Sequence, residues 1–163
     1  MLYEIKVVNI NDKDAKFLTV LSYYVTNSSG DRQNWVMGFK YKYDKGKALE
    51  LKFNEEWIDP NLKDIQNYRG IDIIKPIEPG EKAFVYFKAE EFFRREDFEL
   101  YTSWFPATNL KIIVENSFEN LKFDFKSFYF TPIYPRTDGD KTEIHFDKGV
   151  LPFQGVRLEW KGD

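Results

Sequence analysis

The sequence contains no cysteine and a single histidine, His145. Without cysteine, the chain can form no disulfide bond and can carry out no thiol chemistry. It also lacks a glycine-rich phosphate-binding loop and the Gly-x-Ser-x-Gly motif of serine hydrolases. These absences remove most of the residue sets on which nucleophilic, metal-dependent and nucleotide-dependent catalysis rests. The sequence therefore predicts a protein that is not an enzyme, with no bound cofactor and no metal site.

Long apolar runs and concentrated charge are missing as well. No apolar stretch approaches the about 20 residues that a membrane-spanning helix needs, and the first residues show no secretory signal. The 24 basic and 27 acidic residues are well mixed, with no basic patch of the kind that binds phosphates. We therefore expect neither a membrane nor a nucleic-acid partner. A bacterial cytoplasmic protein is the simplest interpretation, although a processed secreted domain would have the same composition.

Aromatic residues, by contrast, make up 18% of the sequence. Many lie in short segments in which apolar and polar residues alternate, for example residues 49–53 and 121–127. Because a strand turns successive side chains to opposite faces, this period of two predicts strands with one buried face. The aromatic content is more than one face of a single sheet could cover, which favours two packed layers.

The predicted fold is an all-β, two-layer antiparallel β-sandwich of the immunoglobulin-like or jelly-roll-like type, formed as one domain by residues 1–163. The predicted strands lie near residues 3–9, 16–26, 35–43, 47–53, 71–75, 82–88, 98–105, 109–115, 120–130, 141–146 and 154–160. Two stretches lack this alternation: residues 54–70 could hold one short helix after Pro60, and residues 89–97 another helical turn, so one or two short helices are expected in the connections.

Three groups of charged residues could carry chemistry. Glu143, His145 and Asp147 alternate on one strand face and could bind a metal ion. The adjacent acids at positions 55–56 and 90–91 could supply the two carboxylates of a glycoside hydrolase. Spacing alone does not make a site, and adjacent carboxylates on a strand point to opposite faces. An ordinary solvated strand face is therefore the preferred interpretation of all three groups.

Exposed aromatic side chains give the functional hypothesis that the residues best support. A row of exposed Trp and Tyr rings can bind sugar rings or form the centre of a protein interface. Trp57 and Tyr68 lie in the first predicted helical stretch and Tyr134 in a proline-containing loop, so we expect these three to be exposed. Trp35 is a fourth candidate for binding a ligand or partner. The predicted core includes Phe39, Phe123, Phe125 and Trp160.

Several short motifs follow one another over residues 79–160. They are Pro79-Gly80-Glu81 at the start of a strand, Trp104, Pro106 and Leu110 before Ile112 and Val114, and Leu151-Pro152-Phe153-Gln154-Gly155 before Trp160. This succession resembles uncharacterised β-sandwich modules of bacterial signalling and defence proteins. The resemblance implies a recognition or assembly module that acts beside an effector, and it brings no catalytic residue with it.

The sequence thus predicts a non-enzymatic protein-interaction or adaptor module, a small subunit of a bacterial assembly. Its expected partner is another protein or a second copy of itself. The alternative is a carbohydrate-binding module that uses exposed Trp and Tyr rings. A hydrolase that relies on carboxylates alone is a third hypothesis, and it requires two acidic side chains to converge in one pocket.

Overall fold

The structure is a computed structural model that describes residues 1–40, 46–59, 63–65, 68–103, 105–129 and 132–163. Side chains are described in these ranges except at residues 37–40, 63–65 and 68–72. All regular secondary structure in these ranges is β-strand. The described part of the chain accordingly offers no apolar helix of membrane-spanning length.

Fourteen strands are found in the described ranges, and they pair into one eight-stranded sheet and two three-stranded sheets. The strands are β1 (Leu2–Ile10), β2 (Asp14–Thr26), β3 (Gln33–Lys40), β4 (Lys47–Phe53), β5 (Glu56–Trp57), β6 (Lys63–Ile65), β7 (Tyr68–Ile77), β8 (Lys82–Arg94), β9 (Glu96–Thr102), β10 (Leu110–Glu115), β11 (Leu121–Phe128), β12 (Arg136–Asp138), β13 (Lys141–Phe146) and β14 (Gly155–Gly162).

The eight-stranded sheet, named sheet I, has the strand order β12-β13-β10-β1-β2-β8-β4-β5. Its neighbouring strands are antiparallel except β1 and β10, which pair in parallel over Leu2–Lys6 of β1. Strands β2 and β8 pair along 13 residues, from Asp14 opposite Arg94 to Thr26 opposite Lys82. These two long strands form the centre of sheet I and contribute to both parts of the core.

Two small sheets cover one face of sheet I. Sheet II has the order β11-β14-β9, and sheet III has the order β3-β7-β6. The buried residues of the sheet II core are Ile5, Val7, Ala15, Phe17, Phe93, Tyr101, Leu110, Ile112, Val114, Leu121, Ile144, Phe146, Val150, Val156, Leu158 and Trp160. Those of the sheet III core are Trp35, Ala48, Leu51, Phe53, Ile77, Ala83, Val85, Phe87 and Ala89. The predicted all-β two-layer sandwich is confirmed, and its immunoglobulin-like or jelly-roll-like type stays a prediction.

The expected short helices are not found among the described residues of these two stretches, which pair as strands. The expected helix after Pro60 falls partly on residues outside the described ones. Residues 89–94 continue β8, where Ala89, Glu91 and Phe93 lie on the core side of sheet I. In the other stretch, Asn54 adopts a positive φ of 53° at a tight turn, and β5 then folds back on β4. The Phe84 N–H donates to Asn54 Oδ1 at 2.8 Å and fixes this turn. Pairing within a sheet here outweighs the helix propensity of Glu and Arg.

The predicted core residues lie where the alternation places them. Trp160 is 2% exposed, and Phe123 and Phe125 pack against the sheet II core. The Phe39 side chain lies outside the described ones. The period of two therefore gives the correct buried face for both β11 and β14.

Candidate functional site

The three strands of sheet II reach one end of the sandwich at the same level. Thr102 of β9, Gly155 of β14 and Phe128 of β11 lie opposite one another in the pairing register. The connections at residues 103–109, 129–135 and 147–154 therefore leave sheet II together. Loops held side by side on a rigid sheet are frequent positions for binding residues.

These connections carry no charge over most of their length. Residues 102–110, 127–135 and 149–156 include no Asp, Glu, Lys or Arg, although these four types make up 31% of the sequence. Depletion of charge together with enrichment in aromatic residues is the composition found at the centre of protein interfaces. The composition of this end thus differs sharply from that of the remaining surface.

Four large apolar side chains of these loops are exposed to solvent. Their exposed fractions are 70% for Phe105, 61% for Tyr129, 64% for Leu151 and 49% for Phe153. We name these four residues the apolar loop end. Single exposed apolar residues are normal, but a contiguous group of them marks an interaction site more often than chance.

Hydrogen bonds hold the three loops against one another. The Phe153 N–H donates to the Ser103 carbonyl at 2.6 Å, and Ala107 and Val150 exchange backbone hydrogen bonds of 2.8 and 3.0 Å. Gln154 Nε2 lies 3.5 Å from the Tyr129 carbonyl and connects the third loop. Loops fixed in this way lose little conformational freedom when a partner binds.

Two residues of the apolar loop end have unusual backbone conformations. Tyr129 has a φ of 54° and Phe153 a φ of 66°. Bulky residues seldom adopt the left-handed region, and each such residue costs on the order of 1–3 kcal/mol. Strained residues of this kind concentrate at binding and active sites. The strain is a second indication of function, independent of composition.

None of the four residues of the apolar loop end was among the binding candidates predicted from the sequence. A search for residue types that carry chemistry passes over Phe and Leu in loops. The signal that could have found them is the coincidence of three charge-free segments with turn-forming Pro and Gly.

The structure separates the predicted aromatic candidates. Trp57 and Tyr134 are 61% and 77% exposed, as expected. They lie at opposite edges of sheet I, because β5 is one edge strand and Tyr134 directly precedes β12, the other. Seven strand spacings put them roughly 30 Å apart. They form no common platform, and their binding roles stay predictions.

Trp35 is a core residue and not part of an exposed surface. It is 9% exposed, and its ring centroid lies 5.4 Å from that of Phe53 and 6.2 Å from that of Tyr23. This burial corrects its inclusion among the exposed binding candidates. It arises because Trp35 lies on the face of β3 that is turned toward the core. The Tyr68 side chain lies outside the described ones.

A buried polar group lies where the two cores meet. Burial, with a smaller contribution from Glu99, raises the Glu91 pKa to about 7. The Thr19 hydroxyl opposes this rise in pKa, by more than Glu99 adds to it, although it completes no hydrogen bond of standard geometry. Burial raises the pKa of Tyr3 to about 12 and that of Tyr101 well above its ordinary value. We name Tyr3, Thr19, Glu91 and Tyr101 the polar seam.

The polar seam has an acid that titrates near neutrality, which is a property of general acids and bases. Catalysis also needs a space in which a substrate can reach that acid. Two grooves of about 530 and 370 Å³ in the described part of the chain are lined by other residues, and neither includes Glu91. We therefore treat the polar seam as part of the core.

The charged groups weighed as catalytic or metal-binding candidates are engaged in ion pairs. Lys111 and Lys141 bind Glu143 at 2.8 and 2.6 Å and lower its pKa to about 2. His145 Nδ1 lies 3.0 Å from Asp147 Oδ1. Among the described residues, no three His, Asp or Glu side chains are grouped as metal ligands. The prediction of no metal site stays a prediction.

The paired acids also fail to converge. Glu56 binds Lys75 at 2.7 Å, and Glu90 binds Lys16 at 2.7 Å on the solvent side of β8. Glu91, the neighbour of Glu90, faces the core instead. The expected divergence of adjacent carboxylates is confirmed at positions 90 and 91.

No family model and no curated protein sequence matches the chain. Among solved structures, it is similar to the M1 zinc metallopeptidase from Deinococcus radiodurans, with a TM-score of 0.48, 10% identity, and coverage of 98% of this chain and 40% of that chain. A mutant of that enzyme bound to a Tyr-Ser-Ala substrate gives a TM-score of 0.46, 10% identity and coverage of 99% and 41%. The chain spans less than half the length of these proteins. Similarity at this level gives no information on activity.

Proposed function

We propose that the chain is a non-enzymatic protein-interaction module that binds a partner protein through the apolar loop end. The observation that carries the proposal is the absence of charge from three adjacent loops whose large side chains are exposed. Burial of such side chains stabilises a complex by about 25 cal/mol per Å² of apolar surface. Aromatic residues at the centre of an interface contribute a large share of this energy.

The same proposal makes the module a small subunit of a bacterial assembly that acts beside an effector. We place it in the cytoplasm, a reducing compartment in which proteins are stable without disulfide bonds, as a chain without cysteine must be. The resemblance to signalling and defence modules supports this role, and the mixed surface charge is compatible with it.

Carbohydrate binding stays the alternative. Its two described candidates with exposed rings, Trp57 and Tyr134, lie on opposite edges of sheet I, so each would have to bind a sugar alone. This arrangement favours a protein partner over a glycan.

Affinity purification from native cell extract tests the proposal with three tagged proteins. They are the unchanged chain, a double variant with Phe105→Ser and Leu151→Ser, and a matched control with Trp57→Ser. All the changed residues are exposed, at 70%, 64% and 61%, so each variant should remain as stable as the unchanged chain within about 0.5 kcal/mol per site. Circular dichroism and thermal unfolding verify this before the comparison.

We expect a stoichiometric partner with the unchanged chain and with Trp57→Ser, and loss of that partner with the double variant. A partner that the double variant retains would contradict binding through the apolar loop end. Loss of the partner only in Trp57→Ser would transfer the proposal to the β5 edge. The absence of any partner would leave the glycan alternative, which tryptophan fluorescence on a glycan panel measures directly.

A further inference from the structure

Strand β11 is an edge of sheet II with unused backbone hydrogen-bonding groups. The Leu121 N–H donates to the Phe118 carbonyl at 3.2 Å, and the Leu121 carbonyl accepts a hydrogen bond from Asn116 Nδ2 at 2.8 Å. The Leu121 backbone therefore points away from β14. Because successive residues of a strand point to alternate sides, Phe123, Phe125 and Ser127 also turn their N–H and C=O groups to this open side.

Phe123, Phe125 and Ser127 have no hydrogen-bond partner on the open side among the described residues. The strand has eight residues, contains no proline and pairs with β14 without a register shift. A regular edge of this length, without proline or a bulge, is a template for another strand, although its lysines must then be paired by opposite charge.

The opposite edge of sheet II is protected by its own side chains. In β9, the Phe98 N–H donates to Asp97 Oδ1 at 2.8 Å, and the Leu100 N–H donates to Glu99 Oε1 at 3.1 Å. Sheet I ends in very short strands, β12 with three residues and β5 with two. Short and capped edges are the usual means by which proteins prevent strand addition. Strand β11 is neither short nor capped by its own side chains.

The sequence of β11 is complementary to itself when two copies run antiparallel. Since the odd-numbered residues carry the open backbone groups, they must pair with odd-numbered residues of the other copy. Twofold axes through Asp124 and through Phe125 both give an overlap of seven residues within β11. The axis through Asp124 would pair Leu121, whose backbone groups are already bonded. It would also set Asp124 opposite Asp124 and Lys122 opposite Lys126. The axis through Phe125 avoids both and places Phe123 opposite Ser127. On the solvent face, Asp124 of each copy then lies opposite Lys126 of the other.

The charges and the space at this edge support this register. Lys126 and Asp124 are 52% and 67% exposed, so both side chains can reach across the axis. Cross-strand pairs of opposite charge contribute about 0.2–1 kcal/mol each. Below β11, a groove of about 370 Å³ between Phe123, Phe125 and Thr137 leaves room for the inward side chains of an added strand.

We propose that the chain forms a homodimer in which β11 pairs antiparallel with β11 of a second copy, with the twofold axis at Phe125. Sheet II then continues across the axis as one six-stranded sheet, with the order β9-β14-β11 repeated in reverse. Of the apolar loop end, only Tyr129 adjoins this contact, while Phe105, Leu151 and Phe153 belong to other loops and remain available to a different partner.

Sedimentation equilibrium and light scattering over a wide range of concentration test the dimer. The decisive variant is Ser127→Pro, because proline removes an N–H on the open side without removing a hydrogen bond to β14. Its matched control is Ser127→Ala, which keeps the N–H. We expect dimers from the unchanged chain and from Ser127→Ala, and a loss of affinity of at least about 100-fold from Ser127→Pro.

A charge exchange tests the register. Asp124→Lys places a lysine opposite Lys126 of the other copy at two symmetric positions. This repulsion should weaken the dimer roughly tenfold. The chain with both Asp124→Lys and Lys126→Asp restores opposite charges across the axis, so its affinity should return to within about threefold of the unchanged chain. Rescue of this kind cannot arise from a general effect on folding, which thermal unfolding measures in parallel.

A monomer at every concentration would overturn the proposal, as would a dimer that Ser127→Pro leaves unchanged. A dimer without rescue by the charge exchange would overturn the register at Phe125. The double variant Phe105→Ser and Leu151→Ser should still form the dimer. Failure of partner binding and failure of dimerisation are therefore observed separately.

Discussion

The sheet II core and the sheet III core lie side by side on one face of sheet I, but they are built from different side chains. In the sheet II core, the ring centroid of Phe17 lies 4.8 Å from that of Trp160 and 5.1 Å from that of Phe93. In the sheet III core, β8 contributes the small residues Ala83 and Ala89 on the same face. Aromatic residues make up about a third of the described buried residues in both cores, 5 of 16 in the sheet II core and 3 of 9 in the sheet III core, so the cores differ in how closely their rings pack and not in how many rings they hold.

The change occurs along single strands, at the polar seam. Strand β8 supplies Phe87 and Ala89 to the sheet III core and Phe93 to the sheet II core, with Glu91 between them. Strand β2 crosses the same boundary: Thr19 lies at the boundary, and Phe17 lies in the sheet II core. The inward polar residues Thr19 and Glu91 thus lie at the point along these two strands where the core residues change from one cluster to the other.

The largest predicted effect contrasts the tryptophans of the two cores. Trp160→Ala should cost about 3–5 kcal/mol, because it removes a ring packed on Phe17 and Phe93 and a hydrogen bond from Nε1 to the Arg94 carbonyl at 3.0 Å. Trp35→Ala should cost less, about 2–3 kcal/mol, since Trp35 is more exposed and its ring contacts are longer. Urea unfolding at one fixed protein concentration measures both. Equal losses would show that the aromatic cluster adds nothing to the sheet II core.

A glycine in sheet II gives the second prediction. A Cβ added to Gly155 would lie 2.1 Å from the Tyr101 carbonyl oxygen, so Gly155→Ala must push β14 away from β9. We expect a loss of about 2–4 kcal/mol by urea unfolding. The matched control Gly30→Ala, with no atom within 4 Å of the added Cβ, should change stability by less than about 1 kcal/mol. Similar values for the two variants would contradict the close approach of β14 and β9.

Much of this architecture could be predicted from the sequence, and the limits have physical causes. Alternation identifies β11 and β14 and their buried faces because each strand has one wet side. The strands β5 and β12, with two and three residues, are too short to show any period. The parallel pairing of β1 with β10 could not be predicted, since periodicity indicates which face is buried and not which strand is the neighbour.

The third prediction concerns the polar seam and pH. The Glu91 pKa in the folded protein, about 7, is above its ordinary value of 4.5, so folding favours the protonated acid. Its contribution to stability is complete below about pH 4.5, falls as the pH rises through 7 and is constant above, for a total loss on the order of 1–3 kcal/mol. Glu91→Gln should remove this slope and be the more stable protein above pH 7.

Urea unfolding of both proteins between pH 4.5 and 8 measures the Glu91 effect as a difference, because other groups titrate equally in both. Parallel pH profiles would show that Glu91 titrates normally. In that case the polar seam would not lower the free energy of unfolding at neutral pH.

The smallest predicted effect is on the attachment of sheet III. Lys75 of β7 binds both carboxylate oxygens of Glu56 in β5, at 2.7 and 2.9 Å, and so connects sheet III to the edge of sheet I. The pair is partly exposed, so Glu56→Gln should cost only about 0.5 kcal/mol, and less at high salt. The neighbouring Glu55, 99% exposed, provides the control variant Glu55→Gln. Equal costs for the two variants would contradict a role for the Lys75 contact.

The candidate site was less accessible to prediction than the fold. Trp57 and Tyr134 were predicted to be exposed because they lie outside alternating segments, and this is confirmed. Exposure does not bring residues together, and the strand order that separates these two is a property of the whole sheet. The loops that carry Phe105, Leu151 and Phe153 lie at the same end of the sandwich only because three strands of sheet II reach one level there.

The parallel pairing of β1 and β10 also bears on how the protein forms during synthesis. Strand β1 can pair with β2 as soon as both have been made, but its other side waits for Leu110–Glu115. At about 5–20 residues per second, a ribosome needs on the order of 5–20 s to add the intervening chain. During that interval β1 has no strand paired on the side that β10 later occupies, and its backbone groups there are exposed to solvent. We therefore expect nascent chains that stop before β10 to bind chaperones, and chains that extend beyond β13 to be released.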